Sequence, residues 1–133
     1  MSNFYDSVNE IIGLPFKENG RDMDGMDCYG VVLHIANLHG VTLPDWNTEN
    51  DARATVAAIE NATDAGIADL IDGSPKEWDT VVVRRVQTHY HMGIVLLGGV
   101  LHASRKDGVI LQPTTRFHAD YGHEVLEYYR WLK

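Results

Sequence analysis

Met26-Asp27-Cys28-Tyr29-Gly30-Val31-Val32-Leu33-His34-Ile35-Ala36-Asn37-Leu38-His39-Gly40 sets the chain's only cysteine at the head of an apolar repeat. Val31, Val32, Ile35 and Leu38 recur at helical spacing, and Gly40 with Val41-Thr42-Leu43-Pro44 behind it supplies a stop. The pattern predicts a helix from about Cys28 to about His39 with Asp27 as its N-cap. Cys28 then falls in the first turn, where unpaired backbone N–H groups and the positive end of the helix dipole favour a thiolate. A lone cysteine is by default a small buried hydrophobe, so a nucleophile reading depends on what the rest of the chain brings to it.

Working outward, Phe4, Tyr5, Val8, Ile11 and Ile12 share one helical face, with Gly13 as the stop and Pro15 beyond it. Residues 14–26 hold Gly20 and Gly25, mixed charge and no period, and read as a loop delivering the chain to the cysteine helix. Past Pro44, Ala52, Val56 and Ile59 mark a third helix over 48–62, and Ile67-Ala68-Asp69-Leu70-Ile71 a weaker helical patch ended by Gly73-Ser74-Pro75. The character then changes. Thr80–Val86 is a β-branched run, and Met92–Leu97, Val100–Ala103 and Val109–Leu111 are further short strands, separated by Gly98-Gly99 and Lys106-Asp107-Gly108. They predict an antiparallel meander, and His123–Leu132 reads as a final strand. Helices first and strands afterwards is the α+β pattern, with the helices expected on one side of the sheet.

The chain has 133 residues, enough for one compact domain over 1–133. Acidic groups outnumber basic ones by 19 to 11, and no basic cluster exceeds Arg84-Arg85 or Arg105-Lys106, which argues against nucleic acid as a partner. A single cysteine excludes an intrachain disulfide and multi-cysteine metal sites. Met-Ser-Asn-Phe-Tyr-Asp lacks the positive start and apolar stretch of a signal peptide, and no segment approaches transmembrane length. Synthesis in the cytoplasm without membrane insertion is the expectation.

A thiol at a helix start needs a base and a group to orient that base, and histidine is the usual base. Of seven histidines, His34 and His39 lie on the cysteine's own helix, and His118 and His123 in a stretch without regular pattern. His89, His91 and His102 belong to the meander. With Gly98-Gly99 as a two-residue turn, His102 faces Val95 and points the same way as His91. The two are then offset by about 13 Å along the strand, unless a bulge or another register closes the gap. Metal binding is the other reading, because His89 and His91 alternate onto one face and His102 would complete a three-histidine site. No carboxylate is spaced with them, and the thiol would go unused.

Taken together, Asp27-Cys28-Tyr29-Gly30-Val31-Val32, Gly40-Val41-Thr42-Leu43-Pro44, His91-Met92-Gly93-Ile94, His102-Ala103-Ser104 and Gly108-Val109 resemble the ordered motifs of the NlpC/P60 cysteine peptidases. The resemblance runs from about residue 11 to the C-terminus. The loop Gly13–Arg21 and the ending Tyr128-Tyr129-Arg130 are most similar to the branch found in tailed-phage tail-tip proteins. The resemblance implies a papain-like α+β fold, with Cys28 as nucleophile, His91 as base and His102 as its orienting partner. It further implies hydrolysis of amide bonds in peptidoglycan peptide stems, without cofactor or metal. Phe16, Arg21 and Tyr29 are expected to contact the substrate, and Gly30 is expected to leave space beside the thiol. The chain departs from the family pattern at Tyr29, more often serine, at Phe16, often tyrosine, and at Trp78-Asp79, usually Gly-Asp.

A net charge of −8 does not favour adsorption to an anionic wall, so a carrier is expected. The resemblance supplies one: a phage tail tip, in which the chain would bind a tail-hub or tail-tip protein through a surface away from Cys28. A structural tail-tip component of the same fold with little or no activity is the alternative. A cytoplasmic thiol acyltransferase is a third.

Overall fold

Along the run Thr80-Val81-Val82-Val83, successive side chains point to opposite faces of a strand, so a continuous β-branched stretch must be covered on both sides. The computed structural model, which describes residues 4–45, 59–85 and 88–131, shows that covering directly. Thr80–Arg85 (β4) sits near the middle of a six-stranded antiparallel sheet. Thr88–Leu96 (β5), Gly99–Ser104 (β6) and Gly108–Pro113 (β7) continue from it as the expected meander. Val125–Trp131 (β8) returns to the other side of β4, and Ala68–Leu70 (β3) pairs with its outer edge.

Phe4–Ile11 (α1) and Cys28–Leu38 (α2) lie on one face of this sheet. Val8, Ile11, Val31, Ile35, Val82, Met92, Ile94, Leu101 and Val109 form its main core. Burying side chains of this size stabilises by roughly 1.5–3 kcal/mol each, which offsets the entropy of ordering the chain. The opposite face is covered by a helix the sequence reading lacked, Thr114–Tyr121 (α3), whose Phe117 is fully buried against Val81, Val83 and Val100. The class is α+β as expected, but the helices are not confined to one side. α3 is short and polar, and its single buried side chain gives no amphipathic stripe to read.

Two further segments differ from the sequence reading. Ile67–Ile71 contributes β3 rather than a helix: Ala68 pairs with Trp131 and Leu70 with Tyr129, because the open edge of β8 offers hydrogen bonds that a five-residue helical patch cannot match. The loop 14–26 carries a small hairpin, Arg21–Asp22 (β1) with Gly25–Met26 (β2). Of the helix expected over 48–62, residues 48–58 lie outside the described residues, and 59–64 are helical. No helix among the described residues is long and apolar enough to cross a membrane.

Candidate active site

Asp27 caps α2 as its residue type predicts, and it also anchors the loop before the helix. Its Oδ1 accepts from the backbone N–H of Gly30 at 2.8 Å and from Arg21 Nη1 at 2.7 Å. Its Oδ2 accepts from the N–H of Asn19 at 2.9 Å, and the side chain is almost fully buried. The absence of a side chain at Gly30 serves this loop: a Cβ there would stand 2.2 Å from the carbonyl oxygen of Gly20. The space expected beside the thiol is therefore filled by backbone.

The three expected substrate-contacting residues surround this helix start. Arg21 also donates from Nε to Asp45 Oδ1 at 2.9 Å, and its guanidinium lies 5.5 Å from the Tyr29 ring centroid. Tyr29 is buried, and its hydroxyl donates to the carbonyl of Pro44. Phe16 is half-buried, bridges Met26 through the backbone, and carries the Arg105 guanidinium 4.8 Å from its ring centroid. The positive charge of Arg21 is thus met by two carboxylates of its own chain.

The Cys28 thiol is partly buried, and the backbone N–H groups of Met92 and Tyr29 donate toward its sulfur. Met92 follows His91 directly, so this contact sets the sulfur against the β5 backbone one residue beyond His91. Burial pushes the thiol up to about 11, helped by the Asp27 carboxylate, and the two N–H groups and Arg21 oppose the shift without cancelling it. The helix start alone favours a thiolate, but the desolvation and the cap charge outweigh it. At neutral pH the resting group is a thiol.

The turn between β5 and β6 is Leu97-Gly98, with φ of 52° and 71°, rather than Gly98-Gly99. Two successive positive φ values match the turn type that fits strand twist in hairpins. Leu96 pairs with Gly99 and Ile94 with Leu101, which brings His102 beside Gly93 and closer to His91 than the expected register does. Gly93 makes the crossing possible: a Cβ there would lie 2.5 Å from Val100 Cγ1 and 3.1 Å from His102 Cβ. His91 Nε2 and His102 Nδ1 are 2.8 Å apart.

The polar chain continues past the two rings. His102 Nε2 lies 2.7 Å from Gln112 Oε1 on β7, and Gln112 Nε2 donates to Asp120 Oδ2 on α3 at 2.8 Å. Burial lowers His91 to about 3, and the neighbouring His102 adds to the shift. Burial also lowers His102, against the Gln112 hydrogen bond and the charges of Asp120 and Asp107. Both rings are neutral at pH 7, beside aromatic walls from α3. Gln112, Asp120, Phe117 and Tyr121 were missed in the sequence; the i, i+4 spacing of Phe117 and Tyr121 was the one available signal.

The NlpC/P60 family model matches residues 13–126. The chain belongs to the NlpC/P60 family. The NlpC/p60 domain of the peptidoglycan hydrolase SagA is 20% identical, covers 93% of each chain and superposes with a TM-score of 0.63. An NlpC/P60 family protein from Bacillus cereus ATCC 10987 is 20% identical over 98% of this chain, with a TM-score of 0.67. A protein similar to lipoprotein, NLP/P60 family, from Staphylococcus aureus subsp. aureus Mu50 is 17% identical over 98% of this chain, with a TM-score of 0.64. This chain spans 39% and 40% of those two proteins. At such identities the likeness is one of fold. No curated protein matches the chain.

The NlpC/P60 assignment gives the Trp78-Asp79 departure a physical reading. Trp78 holds φ at 72°, the left-handed region that favours glycine, so this chain places a bulky residue in a conformation that a glycine adopts without strain. Trp78 packs on Tyr5 and His39, at centroid distances of 5.1 and 4.6 Å. Asp79 accepts from Arg130 at 2.9 and 2.8 Å and from the N–H of Lys76 at 2.7 Å. Between α2 and the sheet, a cavity of about 50 Å³ is walled in part by Tyr29, Val32, Leu43, Val82 and Met92, and Cys28 is not on its lining. The buried Thr80 Oγ1 on its lining has no hydrogen-bond partner among the described residues. Those residues contain no group of three His, Cys, Asp or Glu side chains arranged to hold a metal, and the side chain of His89 lies outside them.

Proposed function

We propose that this chain is a cysteine peptidase or amidase that cuts amide bonds in the peptide stems of peptidoglycan, with Cys28 as nucleophile, His91 as base and His102 as the group that orients it. The observation that carries the reading is the 2.8 Å contact between His91 Nε2 and His102 Nδ1, with the Cys28 sulfur held by the N–H of Met92, the residue that follows His91. Family membership and the peptidoglycan hydrolase SagA among the fold neighbours support the substrate class.

The chemistry starts from a neutral pair. With the thiol held up and the imidazole held down, a preformed thiolate–imidazolium pair is disfavoured, so the proton moves as attack proceeds. His91 takes the thiol proton on Nδ1, the nitrogen turned away from His102. The sulfur adds to the scissile carbonyl, and the oxyanion receives the backbone N–H of Cys28. Collapse expels the amine, which takes the proton from His91, and leaves a thioester. His91 then draws a proton from water, whose oxygen attacks the thioester and releases the carboxylic acid and the thiol.

Stem peptides incubated with wild-type protein should yield fragments with one new amine and one new carboxyl end by mass spectrometry, and Cys28→Ala should yield none. Intact stem peptides after prolonged incubation with folded wild type would refute the assignment.

We further propose that the site of action is reached on a phage tail tip, through a tail-hub or tail-tip partner. The similarity of Gly13–Arg21 and Tyr128-Tyr129-Arg130 to that branch supports it, as does a net charge of −8 that gives no attraction to an anionic wall. The competing reading is a structural tail-tip component of low activity, which the neutral resting pair favours. Mass spectrometry of purified virions tests the placement: the chain should be present in intact particles, and its confinement to free lysate protein would overturn it.

A further inference from the structure

The contact between His91 and His102 does not by itself say which nitrogen carries a proton, and only one tautomer leaves His91 able to act as a base. The direction is set from the far end of the chain. A carboxylate oxygen only accepts, so Gln112 must turn its Nε2 toward Asp120, over the 2.8 Å contact. Its Oε1 then faces His102 Nε2 at 2.7 Å, and an amide oxygen also only accepts, so His102 carries its proton on Nε2. A neutral imidazole has one N–H, which makes His102 Nδ1 an acceptor. The 2.8 Å contact with His91 is therefore a hydrogen bond donated by His91 Nε2–H. His91 Nδ1 is left with the lone pair.

We infer that Gln112 and Asp120 are positioning residues that set the tautomer of both histidines, and so keep His91 Nδ1 free to accept the thiol proton. The inference rests on reading His91 as the base. Neither residue belongs to the motifs that place Cys28, His91 and His102. Asp120 is exposed on α3, so a surface carboxylate decides the proton arrangement of a buried pair. This also gives α3 a task beyond covering Val81 and Val83, since it carries Asp120 and the aromatic wall together.

The test reads tautomers by two-bond ¹H–¹⁵N correlation spectra of ¹⁵N-labelled protein, beside turnover of a stem peptide. Wild type should show Nε2–H on both His91 and His102. Gln112→Leu should leave His102 without a single tautomer and lower kcat at least about tenfold with KM unchanged. Gln112→Glu combined with Asp120→Asn, which gives the new carboxylate an amide donor, presents His102 with an acceptor that cannot reverse and should restore Nε2–H and most of kcat. Asp120→Lys, at an exposed position the fold tolerates, presents only donors, turns the amide around and should move His102 to Nδ1–H. Nδ1–H on His102 in wild type, or unchanged tautomers in Gln112→Leu or Asp120→Lys, would overturn the inference. So would an unchanged kcat in a variant whose tautomer has moved. Because the spectra need no substrate, they stand even if Cys28→Ala keeps its activity, which would fail the catalytic reading alone.

Discussion

His91 lies flat against Tyr121, with ring centroids 4.8 Å apart and planes 15° from parallel, while its Nε2 edge meets His102. A face contact and an edge hydrogen bond together restrict the rotation of the imidazole about both its side-chain bonds. Orientation of the base thus comes from two elements, β6 and α3.

Tyr121→Ala should therefore loosen the base without removing it. An aromatic contact contributes about 0.5–1.5 kcal/mol beyond burial, so kcat should fall about two- to tenfold, with Tyr121→Phe close to wild type. Steady-state kinetics on a stem peptide check this. Equal losses in the Ala and Phe variants would point to the hydroxyl instead of the ring face.

Gly93→Ala should damage both fold and site. The added methyl meets Val100 Cγ1 at 2.5 Å and the carbonyl oxygen of Leu101 at 2.9 Å, so β5 and β6 must part. Overpacking of this kind costs about 1–3 kcal/mol, readable as a lower urea midpoint, and the separation of His91 from His102 should remove most turnover.

The placement of Cys28 at a helix start was legible because an N-cap, an amphipathic helix and a glycine stop coincide in one short stretch, and because local rules govern helix starts. The resemblance named His102 as the partner of His91, but the register that joins them was not legible, because it hangs on the turn: Leu97 adopts φ of 52°, a conformation that leucine's sequence gives no hint of, while Gly98-Gly99 looked like the better turn. The same limit explains β3. Ile67–Ile71 has no strong local preference, and its state is decided by β8, which lies far along the chain. Gln112 and Asp120 matter only through contacts across β6, β7 and α3, and nothing in their own neighbourhood marks them. The protonation of the thiol was misjudged for a related reason: the helix start is visible in sequence, but burial and the closeness of the Asp27 carboxylate are tertiary facts.

Asp27→Asn separates capping from charge. Asparagine caps as well as aspartate, so α2 should persist, while loss of a charged acceptor for Asn19 and Arg21 should cost about 1–3 kcal/mol. The thiol should become more acidic at the same time, since that carboxylate helps to raise it. Iodoacetamide labelling of wild type should still be accelerating at pH 9, and the variant's curve should lie at lower pH. A wild-type midpoint at or below the ordinary thiol value would contradict the account.

Acid should destabilise the protein through the buried histidines. Both are held below the ordinary 6.5, His91 to about 3, so the unfolded chain takes up protons that the native state refuses. This contribution is complete above about pH 6.5 and is lost as pH falls, at up to about 1.4 kcal/mol per pH unit for each group. Urea unfolding at pH 7 and pH 5 should show a larger drop for wild type than for His91→Phe. Equal drops would mean that His91 is not the acid-sensitive group.

The central claim is that Cys28 forms the covalent bond to substrate, and the chain's single cysteine makes it directly testable. Wild-type protein is alkylated to graded extents, each verified by intact mass, and assayed on a defined stem peptide. The account predicts turnover that falls in proportion to the unmodified fraction and reaches zero at full alkylation. Turnover that survives complete alkylation of Cys28 would contradict it.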